Sequence, residues 1–146
     1  MIDFHCDTVE KLWSSNSPET LLSNSCSVDV DKMKAGGSTA QCFALFVPTG
    51  EHVPPAHEGM GPAAILHALH DRFITEMNTC APFMRQARTA ADIRRNKREG
   101  FLSAILTVEE GEALEGRIET LDELDSWGVR ICSLVWNNEN SLAYPN

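Results

Sequence analysis

Residues 101–111 read Phe-Leu-Ser-Ala-Ile-Leu-Thr-Val-Glu-Glu-Gly. Phe101 to Val108 is an almost continuous apolar run, bounded by Gly100 and Gly111. A strand that is apolar along its whole length is buried on both faces, as in a parallel sheet covered by helices. Two carboxylates, Glu109 and Glu110, follow at once. A carboxylate against so apolar a strand is costly to bury unless something pairs it. A metal ion is one such partner. Equally, Glu109 and Glu110 can simply open a loop or cap the next helix.

Upstream of this stretch, Thr89 to Glu99 predicts a helix capped by Thr89, with Asp92 in its first turn and Gly100 as its stop. Its basic cluster, Arg94-Arg95-Asn96-Lys97-Arg98, falls at the helix end, where cations suit the dipole. From Ala63 to Cys80, Ile65, Leu69, Phe73 and Met77 recur at fourfold spacing, an amphipathic helix. Ser38 to Val47 (STAQCFALFV) is a second buried strand, preceded by a short helix over Asp29 to Ala35 that Gly36-Gly37 closes. Ile2 to Cys6 reads as a first strand, and Thr8 to Trp13 as a helix start with Asp7 or Thr8 near its cap. Downstream, Ile118 to Trp127 is a helix carrying Leu121 and Leu124 and stopped by Gly128; Val129 to Val135 is a last strand. Ser14 to Ser27 and Pro48 to Pro62 read as loops.

Four buried strands alternate with amphipathic helices, so the fold class is α/β with parallel strands and right-handed crossovers. A β/α barrel and an open doubly wound sheet both fit the pattern. Four strands are too few to close an eight-stranded barrel. The chain stops just after a strand, where a further helix is expected. The expectation is one domain over residues 1–146, cut short at its C-terminus.

Bulk composition narrows the function. With 146 residues, one domain is the default. A net charge of −9 argues against nucleic acid, which needs clustered Lys and Arg. No apolar run approaches the ~20 residues that span a bilayer, so no membrane partner is expected. Met1 to Asp7 lacks the basic and apolar regions of a signal peptide. The five cysteines are odd in number and widely spaced, which suits reduced thiols in a cytoplasm. Cys6, Cys42 and Cys132 lie in apolar runs, where a cysteine usually serves as a small core residue.

Three residues could carry chemistry. His5 and Asp7 are two apart at the end of the first strand, so they project to one face while Cys6 faces the other. Imidazole and carboxylate together form half of a zinc site, and C-terminal strand ends are where α/β active sites form. A His-x-Asp pair is common by chance, so its spacing alone decides little. Glu109 stands at the corresponding end of a later strand. His67 and His70 flank the apolar stripe of their helix, where solvent exposure is the simpler reading. His52 and His57 sit in the loop after the second strand, where they could contact a substrate at that face or be ordinary loop residues. No phosphate-binding glycine loop and no Gly-x-Ser-x-Gly elbow occurs.

The combination is more specific than its parts. Asp3-Phe4-His5-Cys6-Asp7 resembles the Asp-Gly-His-Asn-Asp opening of the membrane (renal) dipeptidases, the zinc dipeptidases of M19 type. Asp29 to Pro48 resembles that family's helix, glycine turn and second strand. Phe101 to Gly111 resembles its strand ending in Val-Glu-Gly-Gly, and Trp127 to Ala143 its next helix end, strand and loop. The resemblance runs along nearly the whole chain in the family's order.

It implies the N-terminal half of a (β/α)8 TIM-type barrel and part of a two-zinc site with a bridging hydroxide. His5 and Asp7 match ligands of one ion, and Glu109 matches the carboxylate that bridges both. The remaining ligands and the substrate-binding arginine correspond to positions beyond Asn146. Two departures stand out. The family's Gly-Gly-His after the bridging glutamate reads Glu110-Gly111-Glu112 here. Trp136 replaces a substrate-contacting histidine of the mammalian members, leaving a single N–H donor at a candidate substrate-binding position.

The implied activity is metal-dependent hydrolysis of dipeptides, with this chain alone inactive. The alternatives are a related amidohydrolase acting on N-acyl amino acids or other small amides, and a truncated, non-catalytic binding or assembly module. The expected partners are a dipeptide or small amide, and either a second copy of the chain or the remaining half of the barrel.

Overall fold

Strands β2 (Ala40–Phe46) and β4 (Leu102–Glu109) pair in parallel along their length, from Ala40 opposite Ser103 to Phe46 opposite Glu109. Around this pair the computed structural model describes residues 1–15, 18–49 and 52–145. β1 (Ile2–Asp3) lies beside β2. The other edge of β4 is divided. β3 (Met84–Gln86) pairs with Leu102 to Ala104, and β5 (Val129–Cys132) pairs with Leu106 to Val108, with a register irregularity between Leu106 and Thr107. Every pairing is parallel. The crossovers are helical: α1 (Thr8–Ser14), α2 (Val30–Ala35), α3 (Pro62–Thr79), α4 (Ala90–Arg98) and α5 (Thr120–Trp127).

The structure corrects three strand readings. β3 has no counterpart in the sequence reading: it is three residues long, and only Met84 is buried, so it offers no apolar run to detect. β1 ends at Asp3 rather than Cys6, because the Asp3 carboxylate accepts the His5 backbone N–H at 3.3 Å and turns the chain locally. The link to β2 then resumes, with the Ala44 N–H donating to the Cys6 carbonyl at 3.0 Å. β5 stops at Cys132 rather than Val135. Ser133 makes the last link to β4, its N–H donating to the Val108 carbonyl at 3.1 Å and its hydroxyl accepting the Glu110 N–H at 3.1 Å, and the chain leaves the sheet beyond it.

The helices follow their expected signals. Asp29 accepts the Lys32 N–H at 2.7 Å to cap α2, and Gly37 takes φ 64 after its end. Thr89 and Asp92 form a reciprocal capping box on α4. The α3 stripe packs on the sheet: Ile65, Leu69 and Phe73 are fully buried and Met77 partly so. The Phe73 ring lies 6.4 Å from that of Phe43, at the centre of β2. Glu76 of α3 is also buried, and satisfied: it accepts the Leu21 N–H at 2.6 Å and pairs with Arg72 at 2.8 Å. Cys6 and Cys42 are buried and Cys132 is half-buried. Among the described residues, no helix is long and apolar enough to cross a membrane.

His67 and His70 do more than meet solvent. The His70 ring stacks on the Trp127 indole at 3.9 Å and 5°, and His67 meets the same indole edge-on at 5.1 Å. The pair therefore clasps the end of α5 against α3. Burial holds the His70 pKa below its ordinary value; the charge of His67 acts in the same direction, while Asp71 and Glu123 oppose it. An unfolded histidine binds its proton near pH ~6.5, so below that pH the unfolded chain binds more protons than the folded one. Stability contributed by the neutral ring is present above that pH and lost as pH falls through the lower, folded value. Thermal unfolding followed from pH 7 to pH 5 should show a decline in Tm that is shallower in His70→Phe, which keeps the stack. Equal slopes in the two proteins would refute this account.

Candidate metal centre

In a parallel sheet all C-terminal strand ends lie on one side, so Glu109, last in β4, faces the same region as the segment leaving β1. The Ala44–Cys6 hydrogen bond holds that segment beside β2. Cys6, 8% exposed, turns into the core, and His5 and Asp7 turn outward on either side of it. Burial pushes the Cys6 thiol up to about 12, so it stays protonated and is a poor metal ligand.

His5 Nε2 lies 3.1 Å from Asp7 Oδ1 and 3.4 Å from Glu109 Oε2. One donor atom from each of the three residues falls within 4.8 Å of the others. Asp7 begins α1, yet its side chain caps nothing. Its Oδ1 is shielded from solvent and takes no hydrogen bond. Glu109 is partly buried, and that burial raises its pKa; His5 opposes the shift, while the nearby charges of Asp7 and Glu110 add to it. An orphaned carboxylate oxygen, an imidazole nitrogen and a second desolvated carboxylate fit a divalent cation, which offsets the carboxylate repulsion and fills the missing contact.

These three residues form one wall of a cleft of about 360 Å³. Phe46 at the end of β2, His52 and Trp136 form another. The Trp136 ring meets Phe46 at 5.0 Å and His52 at 5.4 Å, both edge-on. Glu10 and Lys11 of α1 also reach the cleft, and Glu10 is 8% exposed with Lys11 Nζ 3.8 Å away. Glu10, Lys11 and Phe46 join the cleft without being among the candidates named from the sequence. Glu10 and Lys11 had a detectable sign: they sit one helical turn past Asp7, on the side of α1 that shares its direction. His57 is not in this cleft; it stacks on Trp13 at 3.8 Å. A larger cleft of about 960 Å³ lies between Pro48, Met60, Glu112 and Asn138. It holds no comparable donor cluster among the described residues, so chemistry is assigned by the donors and not by size.

The Glu110-Gly111-Glu112 departure has a structural form. Glu110 takes φ 84, a region that glycine adopts freely and glutamate does not. Its buried carboxylate accepts the Glu112 N–H at 3.1 Å and the Asn140 side-chain amide. Gly111 is obligatory in a different sense: a Cβ there would sit 2.2 Å from the Leu134 carbonyl oxygen.

Comparison with known proteins places this architecture. The chain aligns over 95% of its length with a metallo peptidase from Rhodobacter sphaeroides, solved with a phosphinate mimic of the dipeptide L-Ala-D-Ala, at 21% identity and a TM-score of 0.80. It aligns over 93% with the M19 metallo peptidase dipeptidase AC, at 24% identity and a TM-score of 0.75. The probable dipeptidase PvdM from Pseudomonas aeruginosa matches 77% of the chain at 21% identity and a TM-score of 0.63. No curated protein matches the chain. It spans 46% of the Rhodobacter protein and 42% of dipeptidase AC. The sheet is accordingly that of the N-terminal half of a (β/α)8 barrel. The family model for the membrane dipeptidases, peptidase family M19, matches residues 1–145, and the chain belongs to that family of metallo dipeptidases.

Proposed function

We propose that this chain contributes His5, Asp7 and Glu109 to a two-zinc centre that hydrolyses dipeptides, and that Trp136 forms part of the substrate-binding wall. The observation that carries this reading is the convergence of three donor atoms within 4.8 Å at the strand ends, one of them an orphaned carboxylate oxygen. When bound, paired zinc ions supply an activated water and polarise the scissile carbonyl. The chain's own residues orient and shield. Glu109, last in β4 and facing His5 and Asp7, would be the carboxylate that a pair of ions shares. Phe46 and Trp136 exclude water from one side of the cleft, and Trp136 offers an indole N–H to a substrate oxygen. Lys11 and Glu10 offer a cation and an anion, the complements of a zwitterionic dipeptide.

The test is a dipeptide assay on the full-length protein, run with chelator-stripped and zinc-restored samples and with Asp7→Asn. Zinc-dependent hydrolysis that Asp7→Asn removes is expected. Undiminished hydrolysis in the stripped protein would sink the assignment. For residues 1–146 alone we expect none: three ligands, one of them shared, leave a second ion with a single carboxylate, against about three for catalytic zinc.

The partner that completes the centre is the remaining barrel half, or a second copy standing in for it. Ile2 and Phe4 near the β1 edge are 43% and 70% exposed, and Ile131 and Leu134 at the β5 side are 46% and 64% exposed. Open strand edges lined with apolar groups favour pairing with another chain. Sedimentation of residues 1–146 should therefore show self-association, and a monodisperse monomer would contradict it.

A further inference from the structure

The turn after Glu109 and the loop after β5 are fastened together by a group of contacts that the proposed chemistry does not need. The Glu110 N–H donates to Ser133 Oγ at 3.1 Å. The Glu110 carboxylate accepts the Asn140 side-chain amide, which also donates to the Leu134 carbonyl at 2.8 Å. Asn140 Oδ1 accepts the N–H groups of Leu142 at 2.8 Å and Ala143 at 3.0 Å. Glu112 accepts the Ser141 N–H at 2.7 Å. The anchors thus fall at residues 133, 134, 140 and 141, and Trp136 lies between them. Ser133, Asn140 and Ser141 lead to residues 110–112, directly after the candidate ligand Glu109, and Leu134 is tied to Asn140 within the loop.

Glu110 is the centre of this fastening and an unfavourable residue for its backbone. At φ 84 a glycine would sit without strain. A glutamate held there, 2% exposed, is retained by what its side chain does. One contact, to the Glu112 N–H, merely caps the short 3-10 turn Gly111–Leu114. The other leaves the turn altogether and reaches thirty positions along the chain to Asn140.

We propose that Glu110 is a positioning residue: by holding Asn140, its carboxylate fixes the strap of residues 133–143 and so sets where Trp136 stands against Phe46 and His52. The width of the cleft beside His5, Asp7 and Glu109 then depends on residue 110 and not on Trp136 alone. A fixed indole limits the side chain that a substrate can place there, so releasing it widens the range of sizes accepted. This rests on the dipeptidase reading only for what occupies the cleft; the fastening stands without it.

Fluorine NMR of protein carrying 5-fluorotryptophan tests the proposal. The sequence has three tryptophans, so three resonances are expected, with Trp136 assigned through Trp136→Phe. Spectra are taken with and without Co²⁺ alone for wild type, Glu110→Gln, Glu110→Gly and Asn140→Ala. Gln keeps an acceptor oxygen, whereas Gly suits the backbone but has no side chain. In wild type and Glu110→Gln the Trp136 resonance should be sharp and should shift on adding Co²⁺. In Glu110→Gly and Asn140→Ala it should broaden or move, and its Co²⁺ shift should at least halve, while the Trp13 and Trp127 resonances stay in place and report an intact fold. A Trp136 resonance that is the same in Glu110→Gly as in wild type would overturn the proposal, as would a Glu110→Gln spectrum matching that of Glu110→Gly. If Co²⁺ shifts no resonance in wild type, the metal assignment fails, and the metal-free difference between Glu110→Gln and Glu110→Gly still decides the role of Glu110.

Discussion

Glu109→Gln is expected to remove divalent-metal binding from the β4 end while leaving the fold intact. Gln has the shape of Glu, and the site lies at a strand end, so β4 keeps its pairing with β2. The change is electrostatic. With one anionic ligand gone, Asp7 alone faces the cation together with a neutral imidazole, and an amide oxygen cannot balance a dication. Losing a residue that merely orients a metal ligand costs about 10–100-fold in affinity. Losing the charge of a ligand should therefore exceed roughly 100-fold, and more where the carboxylate is shared by two ions. Calorimetric titration of the folded chain with Zn²⁺ measures it. An affinity unchanged from wild type would show that Glu109 is not a ligand, and that its partial burial beside His5 has another cause.

The largest stability effect is expected at the centre of the sheet, from Phe43→Ala. Phe43 is fully buried, sits opposite Leu106 in the β2–β4 ladder, and packs against Phe73 of α3. Deleting its ring removes the contact that seats the longest helix on the sheet and leaves a cavity with backbone on one side. Such truncations cost about 3–5 kcal/mol, against a total of about 5–15 kcal/mol for a typical domain. The urea midpoint should fall by about a fifth or more, with spectroscopic loss of native structure at modest denaturant. A midpoint equal to wild type would mean that α3 is held by its ends, through Glu76 and Leu21, rather than by this packing.

Periodicity made the architecture legible wherever burial is strong. Phe101 to Val108 and Ser38 to Val47 are apolar because both faces of β4 and β2 are covered, and that requirement is written into the residues themselves. The helix caps at Asp29 and Thr89 are equally local, needing only a side-chain oxygen and the N–H three residues on. β3 was invisible for the opposite reason. It is paired on one side only and is mostly polar, so its strand character comes from β4 and not from Met84-Arg85-Gln86. At the candidate site, His5, Asp7 and Glu109 were marked by their place at strand ends, which depends only on chain direction. Phe46 and the partnership of Glu110 with Asn140 depend on which distant segments meet. No spacing rule reports a contact between a turn after one strand and a loop after another.

The divided edge of β4 has a consequence for how the molecule breathes. Hydrogen bonds on that edge belong to two different neighbours, β3 along Leu102 to Ala104 and β5 along Leu106 to Val108. Undocking β5 with α5 exposes only the second half, and β3 goes on protecting the first. Local opening follows such contiguous units, each with its own free energy below that of global unfolding. Amide exchange along this one strand is therefore set by two separate opening reactions. The half that ends in Glu109 belongs to the reaction governed by β5, so an ion held by Glu109 would slow exchange in the last residues of β4 and in β5, and leave Leu102 to Ala104 and β3 untouched.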